Sequence, residues 1–179
     1  MGQKILVVED NELNLKLFCD LLRAHGYEAE PVRDGREALD RARAFAPDLV
    51  IMDIQMPHVS GLELIERMKT DDELKATPIM AVTAYAARGD EERIRDAGAE
   101  GYVSKPISVF RFVEAVSGLL KAAAERKEAV VAESAAAADE HERHHSGEGR
   151  NPDQEGEQEE SMVDPDLRWD DAGPNGATP

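Results

Sequence analysis

The amino-acid sequence predicts an α/β fold built on a doubly wound sheet of five parallel strands. Short apolar runs alternate five times with amphipathic stretches, which is the order expected of repeated strand–helix units. Three of these runs are apolar at every position, which indicates strands buried on both faces, as in parallel sheets covered by helices. Right-handed crossovers then place helices on both sides of the sheet.

The first unit starts the sheet. Ile5–Val8 is a strand rich in β-branched residues, and Asn14–His25 is a helix by the spacing of its apolar residues. Gly26 ends that helix. The second strand, Glu28–Val32, is less apolar, so we expect it at an edge of the sheet.

The next helix and the third unit follow directly. Asp34 can cap a helix over Arg36–Phe45, which ends before Pro47. Leu49–Met52 is a second apolar run and predicts a central strand. Gly61–Lys69 follows it as a helix.

The last two units repeat the pattern. Ile79–Val82 is the third apolar run, and Asp90–Ala97 is a helix closed by Gly98. Gly101–Ser104 predicts the fifth strand. Val109–Ala123 predicts the fifth helix.

The composition changes beyond Lys121, which divides the chain into three parts. Residues 1–121 form the predicted domain. Residues 122–138 are rich in Ala and Glu and can extend the last helix, although they offer few large side chains to bury. Residues 139–179 are rich in Gly, Pro, Glu, Asp, Asn and Gln, and we predict a disordered acidic tail.

Charge and composition exclude several classes of protein. The net charge of −17 repels polyanions, so direct nucleic-acid binding is not expected. No apolar run approaches the roughly 20 residues of a membrane span, and Met1-Gly2-Gln3-Lys4 leads straight into a strand without a signal peptide. The one cysteine, Cys19, forms no intrachain disulfide and is expected in the core. We therefore expect a cytoplasmic protein.

Polar side chains follow four of the predicted strands. Glu9 and Asp10 follow the first strand, Asp53 the third and Thr83 the fourth, and Lys105 follows the fifth. The carboxyl ends of the strands in a doubly wound sheet meet at one edge, so we expect these groups to converge. Each group alone can be explained as a helix cap or a loop residue, but polar groups at the ends of four strands together favour a functional site.

The residue types at this edge suit phosphoryl transfer. Clustered carboxylates repel one another and need a cation, and hard oxygen ligands favour Mg²⁺. Asp53 can act as a carboxylate nucleophile that forms an aspartyl-phosphate. Lys105 and Mg²⁺ can offset charge on the phosphoryl oxygens, and Thr83 can donate a hydrogen bond to them.

Four motifs surround these side chains. They are Ile5-Leu6-Val7-Val8-Glu9-Asp10-Asn11, Asp53-Ile54-Gln55-Met56-Pro57 followed by Gly61, Val82-Thr83-Ala84, and Tyr102-Val103-Ser104-Lys105-Pro106. Over about residues 3–121 the sequence resembles the receiver domains of two-component response regulators. This resemblance implies a (βα)5 flavodoxin-like fold with the strand order 2-1-3-4-5.

The resemblance also implies roles at the acidic site. Asp53 would be the phosphoacceptor. Glu9, Asp10, Asp53 and the backbone carbonyl of Gln55 would bind Mg²⁺. Glu9 stands where many members of the family have Asp, so we expect it to act through a water molecule.

A switch is implied as well. Thr83 and Lys105 would contact the phosphoryl group and draw in the loop after the fourth strand. Tyr102, the switch aromatic, would turn inward, and the surface around Asp90–Tyr102 would change its partner preference.

The implied function is that of a single-domain response regulator. It would accept a phosphoryl group from a sensor histidine kinase and switch protein–protein interactions. Glu12-Leu13-Asn14, Lys16-Leu17-Phe18 and Gly89–Arg95 resemble regulators of cell-cycle or developmental control. Alternatively, the chain is a phosphorelay intermediate that passes phosphate to a histidine phosphotransferase. Its only catalysis would be its own phosphotransfer and autodephosphorylation, and its oligomeric state is open.

Three other classes fit less well. A haloacid-dehalogenase-like phosphatase needs a second acid two residues after the nucleophile, where this chain has Gln55. A flavin-binding module would have a phosphate-cradling loop in place of Glu9-Asp10. A DNA-binding transcription factor would need a helix-turn-helix pattern or a basic surface in residues 122–179.

The first predicted helix carries a second row of leucines. Leu13, Leu17 and Leu21 can pack in the core or face a helical bundle of a kinase, and we favour core packing for each. Asn14 and Lys16 are the better docking candidates, because they are polar and near the predicted site.

Overall fold

The five predicted strands form one parallel sheet. In the computed structural model, which describes residues 2–84 and 88–142, the strand order is β2-β1-β3-β4-β5 and every pair is parallel. The strands are β1 (Lys4–Val8), β2 (Glu28–Val32), β3 (Leu49–Asp53), β4 (Ile79–Thr83) and β5 (Gly101–Ser104). The predicted doubly wound order 2-1-3-4-5 is confirmed, with β2 at an edge.

Five helices connect and flank the strands. They are α1 (Glu12–Ala24), α2 (Ala38–Phe45), α3 (Gly61–Thr70), α4 (Arg88–Asp96) and α5 (Val109–Glu142). Helix α1 begins two residues earlier than predicted, because the Asn11 side chain accepts hydrogen bonds from the first turn. Asp34 caps a 3₁₀ turn over Gly35–Glu37 that leads into α2, so the predicted second helix starts with a tighter turn.

The helices form a layer on each face of the sheet. Alternate side chains of β1 show the division: Leu6 belongs to the core shared with α2, α3 and α4, whereas Ile5 belongs to the core shared with α1 and α5. Phe18 of α1 stacks on Phe112 of α5 with ring centroids 5.1 Å apart. Cys19 lies in this second core, as predicted, and burial raises the pKa of its thiol.

Helix α5 is much longer than the domain needs. Its side chains are buried as far as Ala123, and every residue of 124–134 is exposed. The predicted extension over residues 122–138 is helical, and the helix continues to Glu142. The remainder of the predicted tail, residues 143–179, lies outside the described residues. None of the described helices combines the length and apolarity that crossing a bilayer requires.

Candidate functional site

Three carboxylates meet at the carboxyl edge of the sheet. Glu9 and Asp10 follow β1, and Asp53 is the last residue of β3, which pairs directly with β1. One oxygen from each side chain lies within 4.8 Å of the others. The parallel register therefore brings together residues that are more than forty positions apart, as the sequence predicts.

The site is unusually buried for charged groups. Glu9 is 1% exposed and Asp53 is 2% exposed, and with Thr83 they are the buried polar residues of the described chain. Asp10 is half-buried. Burial removes water from these carboxylates, so their charge must be balanced by the protein or by a bound cation.

Lys105 supplies part of that balance. Its Nζ lies 3.0 Å from Glu9 Oε2 and 3.1 Å from Asp53 Oδ2. The chain holds the lysine in place, because its backbone N–H donates to the carbonyl of Thr83 at 2.7 Å across the ends of β4 and β5. A single ammonium thus bridges two of the three carboxylates.

The pKa values show that this balance is incomplete. Burial, together with the neighbouring Asp53, raises the pKa of Glu9 to about 7 against the opposing effect of the hydrogen bond from Lys105. For Lys105, burial lowers the pKa, but the bonds to Glu9 and Asp53 outweigh it, so the net pKa is raised. The ammonium is firmly charged, whereas Glu9 holds its proton more tightly than an ordinary carboxyl.

Two backbone contacts fix the orientation of the acids. The N–H of Gln55 donates to Asp53 Oδ1 at 3.1 Å, and the N–H of Asn11 donates to Glu9 Oε1 at 3.1 Å. Asn11 also caps α1 through its side chain. Asn11 belongs to the first sequence motif, but no role at the site was predicted for it. An Asn directly after the acidic pair Glu9-Asp10 was the available signal.

Gly61 allows α3 to begin directly against Asp53. A Cβ at this position would lie 2.1 Å from the backbone oxygen of Asp53 and 2.7 Å from Cα of Ile54. No side chain fits there, so the glycine in the motif has a steric cause. Ser60 caps α3, and the Gly61 N–H donates to the carbonyl of Ile54.

Thr83 reaches the same edge from β4. It is 3% exposed and lines a cleft of about 250 Å³ together with Gln55 of the β3–α3 loop and Asp90 and Arg93 of α4. Residues 85–87, the loop expected to close over a phosphoryl group, lie outside the described residues. The structure thus places Thr83 where β4 meets the candidate site.

Tyr102 lies apart from the acidic cluster. It is 38% exposed on β5, and its hydroxyl donates to a carboxylate oxygen of Glu91 on α4. This hydrogen bond to Glu91 raises the pKa of the phenol. The predicted switch residue therefore faces outward in this structure and links β5 to α4.

The leucine row of α1 corrects one prediction. Leu13 is 80% exposed and Leu17 is 46% exposed, so core packing is wrong for both, whereas Leu21 is half-buried against the second core. Leu15 and Leu22 belong to the stripe that the sheet buries instead. Helix α1 has two apolar stripes, and only one of them can face the sheet.

The donor set fits a hard divalent cation better than any softer metal. All three candidate ligands are carboxylates, and no His or Cys joins the cluster among the described residues. One carboxylate, Asp53, is also in contact with a lysine that can stabilise a transferred anionic group. The position two residues after Asp53 is Gln55, which lacks the second acid of a dehalogenase-type phosphatase.

Comparisons with known sequences point the same way. The family profile described as the response regulator receiver domain matches residues 5–117. The polar-differentiation response regulators DivK of Brucella anthropi and Brucella melitensis are 58% and 57% identical to this chain over 120 residues, which cover 67% of it and 98% of each relative.

Solved structures share the fold. The receiver domain of a sensor histidine kinase from Pseudomonas aeruginosa, which holds a magnesium ion in its active-site cleft, aligns with a TM-score of 0.63 at 30% identity, over 68% of this chain and 99% of its own. The chemotaxis protein CheY4 of Vibrio cholerae aligns with a TM-score of 0.64 at 28% identity, over 66% of this chain and 99% of its own.

Proposed function

This chain belongs to the response regulator receiver family, and from that premise we propose that it accepts a phosphoryl group on Asp53 from a sensor histidine kinase in the cytoplasm. The observation that carries the proposal is the contact between Asp53 and Lys105, 3.1 Å apart within a cluster of carboxylates. A carboxylate so placed is a nucleophile with a cation already beside the charge that it acquires.

The proposed transfer is a displacement at phosphorus. An oxygen of Asp53 forms a bond to the phosphorus of a phosphohistidine, the P–N bond breaks, and the histidine nitrogen keeps the bonding pair and takes up a proton. Lys105 neutralises charge on the transferred oxygens, and the hydroxyl of Thr83 donates to one of them. The hydrogen bond from Gln55 keeps the carboxylate from rotating.

Glu9, Asp10 and Asp53 would hold Mg²⁺, with the backbone carbonyl of Gln55 as a further ligand. When bound, the ion supplies positive charge to the phosphoryl oxygens. The fit rests on three carboxylate oxygens within 4.8 Å of one another and on the burial of Glu9 and Asp53, whose two charges face a single lysine. A magnesium-bound relative with the same fold supports the assignment.

Helix α1 is the proposed docking surface for the kinase. Leu13 and Leu17 are exposed on it, next to the polar side chains of Asn14 and Lys16. Exposed leucines in a row spaced by four residues suit packing against the helices of a kinase bundle. This surface borders the acidic site, because α1 follows Glu9 and Asp10 directly.

The proposed output is a change of protein partners. On phosphorylation Thr83 and Lys105 engage the phosphoryl group, Tyr102 leaves Glu91 and turns inward, and the face of α4 and β5 changes shape. The polar-differentiation role in the names of the Brucella relatives suggests developmental control as the process.

Phosphorylation by a small-molecule phosphodonor tests the acceptor. The wild-type chain should gain one acid-stable, base-labile phosphoryl group in the presence of Mg²⁺, and Asp53→Asn should gain none. Asp72→Asn, at an acid whose side chain is 94% exposed, is the matched control and should behave as wild type. Equal labelling of Asp53→Asn would refute the assignment.

Comparing phosphoryl transfer from a cognate kinase with transfer from the small-molecule donor tests the docking surface. Leu13→Ala should slow transfer from a cognate kinase by about tenfold, because each buried leucine contributes up to ~3 kcal/mol to an interface. Transfer from the small-molecule donor should not change. Glu66→Ala, at an exposed residue of α3 on the other face of the sheet, is the control. Equal slowing with both donors would place Leu13 in the site and not in docking.

A further inference from the structure

The buried stripe of α5 continues beyond the edge of the domain. Its side chains pack on the sheet from Phe112 to Ala123 at helical spacing. The same spacing leads through Lys127 to Val130 and Val131, which are 66% and 65% exposed. The two valines lie on the same side of α5 as its buried residues, in the part of the helix that extends beyond the sheet. They form an apolar surface that the described residues leave uncovered.

A groove runs from these valines to the amino ends of the strands. A cavity of about 490 Å³ is lined by Ala76, Val130 and Val131, and a second of about 270 Å³ is lined by Pro47 and Leu74. Ala76 and Lys127 line both cavities, so the two are adjacent. We call this surface, defined by Pro47, Ala76, Lys127, Val130 and Val131, the amino-edge groove.

The groove has basic side chains next to its apolar surface, together with the acids Asp48, Glu73 and Glu100, of which Glu100 is already paired with Lys69. Arg126 and Lys127 line it, and the Lys127 side chain is 68% exposed with its Nζ 3.7 Å from the nearest carboxylate, Asp48. Among the described residues Arg126 forms no ion pair. In a chain of net charge −17, this combination favours a ligand that is both apolar and acidic.

The same chain contains such a segment beyond α5. Residues 143–161 contain no Ala, Val, Leu, Ile, Met, Phe, Tyr or Trp. The next ten residues then combine four large apolar side chains with four acids: Met162, Val163, Leu167, Trp169, Asp164, Asp166, Asp170 and Asp171. Apolar and acidic groups thus occur together at one place in the tail.

We propose that residues 162–171 dock in the amino-edge groove of their own chain, with apolar side chains on Val130 and Val131 and aspartates beside Arg126 and Lys127. The reach is adequate. From Glu142 back to Val130 the helix spans about 18 Å. A flexible connection of the length of residues 143–161 has an end-to-end distance of roughly 24 Å, close to the span required.

This docking would separate the tail from the signalling surface. The groove lies at the amino ends of the strands, opposite Asp53 and the start of α1. The acidic tail would be held away from the carboxylate cluster, where its charge would oppose an incoming phosphoryl group. The inference stands on the geometry of α5 and does not depend on the proposed phosphorylation.

Trp169 provides a direct measurement, because it is the one tryptophan of the chain. Acrylamide, a neutral quencher, reports its exposure without interference from the acidic residues. In the full-length protein, quenching should be weaker than in a synthetic peptide of residues 158–179. Val130→Asp should weaken docking by about tenfold and bring the quenching close to that of the peptide.

Val109→Asp is the matched control. It makes the same change at a 47% exposed valine on the first turn of the same helix, about 30 Å away, and should leave quenching as in wild type. Lys127→Glu should also expose Trp169, and Asp170→Lys in the same chain should restore part of the protection. Circular dichroism verifies that each variant keeps its helix content.

Two results would overturn the proposal. Equal quenching of the wild-type chain and the peptide would show that the segment does not dock. Protection that grows with protein concentration, together with a dimer in sedimentation, would show that a second copy covers the groove in place of the tail of the same chain.

Discussion

The sheet carries a lysine–carboxylate network at each end, and the two differ in their charge balance. At the amino end, Lys69 Nζ lies 2.5 Å from Glu100 and 2.9 Å from the carbonyl of Thr77, while the other oxygen of Glu100 accepts from the N–H of Ile79. One positive charge is paired with one negative charge, and backbone groups form further hydrogen bonds with both side chains.

The network at the carboxyl end is not complete in this sense. Lys105 faces both Glu9 and Asp53, and Asp10 adds a third carboxylate to the cluster. The difference teaches how to distinguish a structural ion pair from a working site. An ion pair with equal charges does not attract a further ion, whereas an excess of buried negative charge is stabilised by binding another cation.

The largest expected effect is on the balanced pair. Lys69→Met should lower the free energy of unfolding by about 3 kcal/mol, because it leaves Glu100 poorly compensated at a site that is mostly buried. Lys16→Met, which breaks an exposed pair with Asp20, should change it by less than about 0.5 kcal/mol. Urea denaturation measures both. Similar losses in the two variants would contradict the contrast.

Magnesium should act on the opposite end alone. At a concentration about 100 times its dissociation constant, Mg²⁺ should stabilise the wild-type chain by about 2.7 kcal/mol. Asp10→Asn should abolish most of this gain, and Lys69→Met should retain it. Thermal unfolding with and without the ion is the measurement, and a full gain in Asp10→Asn would remove Asp10 from the ligand set.

The pH dependence should reveal the unbalanced charge without any metal. The pKa of Glu9 is raised from 4.5 to about 7, so the folded state holds a proton that the unfolded state has released. Stability should therefore fall as pH rises from about 4.5 to about 7, by on the order of 2 kcal/mol. Glu9→Gln should flatten this part of the curve, measured in a chelating buffer. An unchanged slope would assign the effect to other groups.

The smallest expected effect is a gain. Asp53→Asn removes one negative charge from the crowded edge and should stabilise the metal-free chain by about 1 kcal/mol, since active-site residues are often retained at a cost in stability. The same substitution should reduce the stabilisation by Mg²⁺. Urea denaturation in chelator checks the sign, and a loss of stability would mean that Lys105 already balances the site.

Much of the site could be predicted from the sequence, because apolar runs show where the strands end. Three apolar runs located β1, β3 and β4, and the parallel sheet brings the residues after them together with Lys105, which follows β5. Composition also predicted a helical extension of α5 over residues 122–138, and the described part of the helix reaches Glu142.

Other features depend on tertiary packing that periodicity does not encode. Helix α1 has apolar residues on two stripes. The sheet and α5 pack against the stripe that contains Leu15, so Leu13 and Leu17 are exposed. The outward position of Tyr102 depends on Glu91, a partner eleven residues away on α4. The hydrogen bond from Asn11 to Glu9 requires a turn geometry that residue types alone do not specify.

The close approach at Gly61 has a consequence for engineering. The strand that ends in Asp53 meets α3 through main-chain atoms, with no side chain between them. The outward face of that helix, which carries Glu63, Glu66 and Arg67, can therefore be redesigned for new binding specificities while the Asp53 carboxylate stays in register. Residue 61 itself has no such freedom, because any side chain there would meet the backbone of Asp53 and Ile54.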